Sequence, residues 1–174
     1  NIMELSQKEM NSLRTEIGFL FQGSALYDSM TVRENLEFPL RTYKEKLTNK
    51  EELVNEALES VGLAHAIDLM PEELSGGMKR RVALARTIIM RPKIIIFDEP
   101  TTGLDPITAK EIIELMKDIQ KEYNTSSLII THDVDCARVI SNRMILLIDG
   151  INYVEGTFKK LSSLKDKKIQ AFFK

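Results

Sequence analysis

Residues 94–99 read Ile94-Ile95-Ile96-Phe97-Asp98-Glu99, an apolar run that ends in two adjacent carboxylates. A short, wholly apolar run is typical of a strand in a parallel sheet that helices cover on both faces. Open α/β folds bind their ligands at the carboxyl ends of such strands. The run therefore predicts a strand that delivers Asp98 and Glu99 to a binding edge. The alternative is a solvated strand end that caps the next helix.

The residues that follow predict a turn and then a helix. They read Pro100-Thr101-Thr102-Gly103-Leu104-Asp105-Pro106. Asp105 is a favourable N-cap, and proline is favoured at the first helical position. The apolar stripe of the helix consists of Ile112, Met116, Ile119 and Tyr123.

A second motif lies about twenty residues upstream and reads Glu73-Leu74-Ser75-Gly76-Gly77-Met78. Ser75 predicts the cap of a helix that runs to about Met90, and the backbone N–H groups after it are free to meet an anion. The alternative is a plain helix cap. Three cations, Lys79, Arg80 and Arg81, follow in the first turn, where the helix dipole disfavours positive charge. We expect either an anion nearby or exposed, solvated side chains.

The rest of the chain alternates between strand and helix patterns. Further strands are predicted at 17–22, 127–131 and 143–149, and a helix at 133–140. Capping-box pairs mark three helix starts at Ser6/Glu9, Thr31/Glu34 and Thr48/Glu51. The third helix ends at Gly62, so that residues 30–90 are largely helical. The Lys-rich end, 159–174, predicts a terminal helix that docks through Ile169, Phe172 and Phe173. The pattern as a whole predicts an α/β domain with a parallel sheet and a helical insertion.

Composition excludes several classes of protein. The chain has 174 residues with 24 basic and 26 acidic side chains, a net charge of −2, and it carries no basic stretch of the kind that binds nucleic acid. One cysteine, Cys136, and two histidines form no zinc motif, and they fit a reducing, cytoplasmic setting. Every apolar run is far shorter than the roughly 20 residues that cross a bilayer. Membrane association would therefore require a partner.

The two motifs together resemble those of ATP-binding-cassette (ABC) ATPases. Residues 74–86 resemble the family's signature motif, and residues 98–105 resemble its Walker B and D-loop sequences. Gln22 is similar to the Q-loop glutamine, and His132 to the switch histidine. The resemblance implies a P-loop NTPase core with a mostly parallel sheet, formed by 1–29 and 91–174, and a helical signature subdomain formed by 30–90.

The resemblance also implies ATP and Mg²⁺ as cofactors and a role for each matched residue. Asp98 would order Mg²⁺, Glu99 would polarise the attacking water, and His132 would contact the γ-phosphate region. Gln22 would link Mg²⁺ and that water to a membrane partner. The remaining cofactor-binding residues that the family motifs imply are Ser75, Gly76, Gly77 and Asp105. Ser75 and Gly77 would complete the site of a second copy of the domain.

Residues 20–35 are most similar to the ATPases of lipid importers, the Mla type that work with MCE proteins. They read Leu20-Phe21-Gln22-Gly23-Ser24-Ala25-Leu26-Tyr27-Asp28-Ser29-Met30-Thr31-Val32-Arg33-Glu34-Asn35. Met78, where the family more often has Gln, supports the same likeness. It implies phospholipid transport, a transmembrane permease partner, a lipid-binding MCE-type subunit and a peripheral place on the cytoplasmic face of the inner membrane. No nucleic acid partner is expected.

The chain departs from the family at one point. No G-x-x-x-x-G-K-[ST] loop occurs in residues 1–174, although the family needs one to hold the β- and γ-phosphates. We therefore expect a chain truncated at its N-terminus, inactive alone, with an unpaired strand edge. Two alternatives remain: a noncatalytic module that supplies a signature motif or docks on a membrane subunit, and a nontransport ABC protein.

Overall fold

A computed structural model of the chain describes residues 2–43 and 49–173. It contains two compact units, one up to Ile130 and one from Thr131 onward. The helices of the first unit are α1 (Gln7–Glu16), α2 (Val32–Tyr43), α3 (Lys50–Ser60), α4 (Gly76–Ile88) and α5 (Pro106–Tyr123). Its strands are β1 (Ile17–Leu20), β2 (Ile94–Asp98) and β3 (Ser126–Ile130). The second unit contains α6 (Val134–Ile140), β4 (Met144–Ile148), β5 (Ile151–Gly156), α7 (Phe158–Ser162) and α8 (Lys167–Gln170).

The first unit is built on a three-stranded parallel sheet in the order β1-β2-β3. The central strand, β2, is the apolar run at 94–98, and its Ile95 and Phe97 are completely buried. Phe97 pairs with Leu20 on one side and with Ile129 on the other. The predicted parallel sheet is confirmed, and the carboxyl ends of its strands lie along one edge.

The helix boundaries follow the capping signals. Ser6 and Glu9 form the reciprocal capping box of α1. Thr31 and Glu34 do the same at the start of α2, with the Thr31 amide donating to the Glu34 carboxylate at 2.9 Å. The third predicted box depends on Thr48, which lies outside the described residues. Gly62 follows α3 with a φ of +71°, a conformation that glycine adopts without the steric cost of a Cβ.

The largely helical character predicted for 30–90 is confirmed by α2, α3 and α4, which pack on one another, and α4 also packs on β1. Its core is aliphatic, since methyl groups from three helices fill the space between them. The apolar side chains of these helices that are 0% exposed among the described residues are Val32, Leu36, Leu40, Val54, Leu58, Val82, Leu84, Ala85 and Ile88.

Strand β3 differs from the expectation of burial on both faces. Its Leu128 is 55% exposed and its Ile130 is 46% exposed. The exposure is not specific to β3, since Phe19 of β1 and Ile94 of β2 lie on the same face of the sheet and are 39% and 42% exposed. The physical reason is that the described elements leave this face of the sheet partly uncovered. One apolar row of the strand therefore faces solvent.

The second unit departs further from the sequence prediction. The strand predicted at 143–149 forms as β4, and it pairs antiparallel with β5, a strand that was not predicted. Asp149 and Gly150 make the turn, both with positive φ. This tight turn lets β4 satisfy its backbone hydrogen bonds with its immediate neighbour in sequence.

The predicted single helix at 159–174 is wrong, since the segment forms α7 and α8 with a break between them. Asp166 caps α8 by accepting hydrogen bonds from two of its backbone amides. Ile169 is buried against Leu146 and Leu161, whereas Phe172 is 42% exposed. Phe173 packs edge-on against Phe158 at 5.3 Å between ring centroids.

Across the residues that the structure describes, no helix combines the length and the apolar character needed to cross a bilayer.

Candidate functional site

The carboxylates predicted at the end of β2 occupy adjacent, half-buried positions. Asp98 is the last residue of the strand. Glu99 has a φ of +48°, a left-handed conformation that costs a residue with a Cβ about 1–3 kcal/mol and is often found at functional sites. Its amide still donates to the Ile130 carbonyl at 2.9 Å, and its carboxylate accepts the Thr102 hydroxyl at 3.0 Å. Hydrogen bonds therefore fix both the backbone and the side chain of Glu99.

Asp105 closes the loop after β2 and begins α5. Its carboxylate accepts hydrogen bonds from the amides of Ile107 and Thr108, each at 3.0 Å, and from the Thr108 hydroxyl. These bonds, the Thr108 hydroxyl first, lower the pKa of Asp105 below its usual value. The contribution of this cap to stability is therefore complete above the ordinary pKa of an aspartate. It is lost as the pH falls through the lowered pKa of Asp105.

Gln22 is exposed in the loop that follows β1, two residues beyond the end of the strand. Arg80, on α4, joins this loop to the loop after β2. Its guanidinium donates to the carbonyls of Phe21 at 2.8 Å, Gln22 at 2.5 Å and Thr102 at 3.4 Å. The structure therefore brings the Gln22 and Glu99 loops together through a side chain that lies outside both loops.

The surroundings of Arg80 differ from the expectation that the cations of α4 meet an anion or solvent. Only 3% of Arg80 is exposed, and among the described residues its charge meets the carbonyl oxygens of two loops and no carboxylate. Burial lowers the pKa of Arg80. Arg81 also has protein partners, the Val61 carbonyl at 3.2 Å and the Glu111 carboxylate at 2.9 Å. No anion is needed to explain either side chain.

Asn35 organises the remainder of the loop after β1. It is completely buried at the start of α2, and its amide group donates to the carbonyls of Tyr27, Met30 and Thr31 at 3.0–3.1 Å. Its carbonyl accepts the Tyr27 amide at 2.8 Å. The loop is thereby fixed to the helical region from within.

Replacing Asn35 with Ala should lower the free energy of unfolding by about 2 kcal/mol, because several backbone groups lose their partner. The measurement is urea denaturation of the full-length natural protein. The matched control is Asn55→Ala on the exposed side of α3, which should change stability by less than about 0.5 kcal/mol. Equal midpoints for the two variants would contradict the role of Asn35.

The signature residues begin α4 as predicted. Ser75 is the N-cap, and its hydroxyl oxygen accepts the Met78 amide at 3.2 Å. Ser75 and Gly76 are exposed, and Gly77 is half-buried. A Cβ on Gly77 would come within 2.7 Å of the Thr108 Cγ2. Any larger residue at position 77 would therefore force Thr108 of α5 to move, a packing constraint that the sequence motif does not reveal.

His132 belongs to the second unit, two residues after β3 in sequence, and it is exposed. The next residue in sequence, Asp133, is the N-cap of α6. The expected approach of His132 to Glu99 stays a prediction, because the two residues belong to different units.

Three residues of the site were missed from the sequence: Arg80, Thr102 and Asn35. For Arg80 a signal existed, since residues three, four and seven positions later, Ala83, Leu84 and Thr87, are all buried and share its helix face. The run Lys79-Arg80-Arg81 concealed this signal, because three adjacent cations suggest a solvated surface.

The donor set at the end of β2 fits Mg²⁺. This ion takes oxygen ligands, and in nucleotide sites it needs only one or two protein carboxylates beside phosphates and water. Asp98 supplies one such carboxylate, and Gln22 can add a neutral oxygen, so that Glu99 is not needed as a ligand. Within 2–43 and 49–173, no three His, Cys, Asp or Glu side chains form a group that could hold a metal ion by themselves.

The chain is similar to known proteins over most of its length. The profile of the ABC transporter family matches residues 1–102. The intermembrane phospholipid transport system ATP-binding protein MlaF of Haemophilus influenzae is 38% identical over 175 residues, which cover 100% of this chain and 66% of the relative. The methionine import ATP-binding protein MetN 2 of Bacillus cereus is 41% identical over 172 residues, which cover 98% of this chain and 51% of the relative.

Two solved structures share the fold. CbiO1 from Clostridium perfringens, part of the ABC transporter complex CbiONQ, has a TM-score of 0.82 at 33% identity, covering 92% of this chain and 64% of its own. The dimeric post-hydrolysis state of the ATP-binding cassette MJ0796, bound to ADP and Pi, has a TM-score of 0.77 at 32% identity, covering 89% and 68%. The α/β fold is that of ABC cassettes, a P-loop NTPase fold. With the profile match over more than half of its residues, the chain belongs to the ABC transporter family.

Proposed function

We propose that the protein containing this chain is the ATP-hydrolysing subunit of an ABC transporter. The observation that carries the proposal is the arrangement of Glu99. It follows a parallel strand directly, its backbone is held in a left-handed conformation, and its carboxylate is oriented by the Thr102 hydroxyl. A carboxylate held in this way is suited to orient a water and accept its proton.

The other site residues have complementary roles in the proposal. Asp98 and Gln22 hold the Mg²⁺ of the bound nucleotide, and His132 contacts the terminal phosphate. Mg²⁺, when bound, neutralises charge that develops on the phosphate oxygens. The pairing of β1 with β2 supports the roles of Asp98 and Gln22. Leu20 and Phe97 are paired, so that Gln22 and Asp98 follow at the same edge of the sheet.

A second copy of the domain completes the site. Ser75, Gly76 and Gly77 are proposed to contact the nucleotide of the partner copy, with Asp105 beside it at the interface. The exposure of Ser75 and Gly76 at a helix N-terminus supports this, because the free amides of such an end favour phosphate. The dimeric state in the solved MJ0796 structure supports it as well. We further propose that 1–29 and 91–174 form the nucleotide-binding core and 30–90 the helical subdomain.

The transported molecule is proposed to be a phospholipid. The similarity to MlaF over the whole chain supports this, while the equally similar MetN relatives make methionine the rival substrate. In the proposal a transmembrane permease subunit anchors the protein at the cytoplasmic face of the inner membrane, and an MCE-type subunit carries the lipid. ATP hydrolysis that phospholipid vesicles stimulate in the assembled complex would support the lipid, and stimulation by methionine would favour the rival.

The permease is proposed to dock beside the loop after Gln22. Tyr27 and Phe38 are 42% and 38% exposed there, with ring centroids 4.7 Å apart. They help line a groove of about 470 Å³ between β1 and the helical region. Exposed aromatic side chains of this kind are enriched where proteins bind one another.

Phosphate release from Mg-ATP tests the proposed activity. The full-length natural protein should hydrolyse ATP, whereas residues 1–174 alone should show less than about one hundredth of that rate, because they contain no phosphate-binding loop and positioning of the phosphates is most of the catalysis. Equal rates would contradict the reasoning about the loop. No hydrolysis by the full-length protein would instead favour a noncatalytic module that supplies its signature residues or docks on a membrane subunit.

A further inference from the structure

Arg80 is the least exposed charged residue that the structure describes, at 3%, and the resemblance of residues 74–86 to the signature motif gives it no role. Its three acceptors are backbone carbonyls, from Phe21 and Gln22 in one loop and Thr102 in another. Its Nε atom is buried, and no described residue offers it a hydrogen-bond acceptor. A buried guanidinium without a carboxylate partner is expensive, so a role beyond helix stability is indicated.

We propose that Arg80 is a positioning residue that holds the Gln22 loop and the Glu99 loop in one arrangement and links both to the signature end of α4. The inference rests on the proposed function, because it concerns the same site. Arg80 itself touches neither nucleotide nor water in this proposal. It acts through the two loops.

The link from Arg80 to Glu99 has two steps. The guanidinium binds the Thr102 carbonyl at 3.4 Å, and the Thr102 hydroxyl binds the Glu99 carboxylate at 3.0 Å. The link to Gln22 is direct and short, through its own carbonyl at 2.5 Å. A planar guanidinium presents several donors in a rigid fork, so one side chain can fix both loops at once. The ammonium of Lys cannot reproduce that geometry.

The link from Arg80 to the signature residues is the helix itself. Gly77 lies three residues earlier, almost one turn away on the same helix. A ligand that shifts the exposed end of α4 therefore moves Arg80 with it, and with Arg80 the two loops. In the proposed dimer each chain therefore connects two nucleotide sites. Its signature residues complete the site of the partner copy, and its Gln22 and Glu99 loops belong to its own site.

Arg81 provides a matched control on the same helix turn. It also donates to a backbone carbonyl, that of Val61, but its second partner is Glu111 on α5, and neither loop of the site is involved. Arg81→Gln removes one charge from α4 just as Arg80→Gln does. Only Arg80→Gln should affect the Gln22 and Glu99 loops.

The first test is hydrogen–deuterium exchange of the full-length natural protein without nucleotide. In Arg80→Gln, exchange in peptides that cover residues 21–26 and 99–104 should accelerate at least about tenfold, as expected for the loss of a hydrogen bond to a charged group. Arg81→Gln should leave these peptides unchanged. Uniform acceleration over the whole unit, or none in the two loops, would overturn the proposal. Because no ATP is present, this result does not depend on the proposed activity.

The second test is steady-state hydrolysis of Mg-ATP. Arg80→Gln should lower kcat about tenfold or more and change KM by less than about threefold, since the loss falls on transition-state positioning. Arg80→Lys, which keeps the charge without the fork, should recover less than half of the lost rate. Full recovery by Lys would show that charge alone matters and would overturn the positioning role.

Thr102→Val keeps the test decisive if Arg80→Gln does not fold. It removes the hydroxyl that binds Glu99 and leaves the carbonyl that binds Arg80. It should lower kcat while leaving exchange in residues 21–26 unchanged, and Thr102→Ser should restore the rate. An unchanged kcat in Thr102→Val would break the second step of the link and contradict the proposal.

Discussion

Changing Glu99 to Gln in the full-length natural protein is expected to slow ATP hydrolysis by about two to four orders of magnitude, the usual contribution of a general base. The glutamine side chain has the same shape, and its carbonyl can still accept the Thr102 hydroxyl that now binds the carboxylate at 3.0 Å. It cannot accept a proton from water. The variant should therefore fold and bind Mg-ATP, yet fail at the chemical step.

A second readout separates loss of chemistry from loss of folding. If hydrolysis opens the dimer, Glu99→Gln should accumulate as an ATP-bound dimer in size-exclusion chromatography with light scattering. Glu114→Gln is the matched control, because Glu114 lies exposed on α5 and pairs only with Lys117, three residues along the helix. Its turnover should equal that of the natural protein. Normal turnover in Glu99→Gln would remove Glu99 from its proposed catalytic role.

Residues 1–174 expressed by themselves are expected to self-associate at micromolar concentration. The free side of β3 is the reason, since the strand pairs only with β2 among the described residues. Leu128 and Ile130 of the same strand point to one face of the sheet and are 55% and 46% exposed. An exposed apolar edge strand presents unpaired backbone groups to another chain, which makes it a site of aggregation. Sedimentation velocity should show oligomers whose fraction rises with concentration.

The double change Leu128→Lys and Ile130→Lys should reduce that association, because charges on an edge strand oppose pairing with a second copy. Ile107→Lys is the control, since Ile107 is 75% exposed but lies in the first turn of α5. It should leave the oligomers unchanged. A monomeric, cooperatively melting chain without substitution would show that β3 is not an association site.

The accuracy of the sequence prediction varied with the range of the interactions involved. The strand at 94–98 and the caps at Ser6, Ser75 and Asp105 were predicted within a few residues, since each depends on neighbours in sequence. The partner of β4 was not predicted. Its apolar run suits a parallel or an antiparallel neighbour equally well, and only the turn at Asp149 and Gly150 selects the hairpin.

The sequence by itself determined the family and the local shape of its motifs, because spacing along the chain sets a helix cap, a strand end or a pair of adjacent carboxylates. The tertiary structure alone decided what surrounds Arg80. Its acceptors lie 59, 58 and 22 residues away, and whether such a cation is solvated or buried depends on which loops the fold brings to it. The helix face can indicate that Arg80 is buried, but the identity of its distant partners leaves no periodic signal in the chain, and here these partners bring the Gln22 and Glu99 loops together.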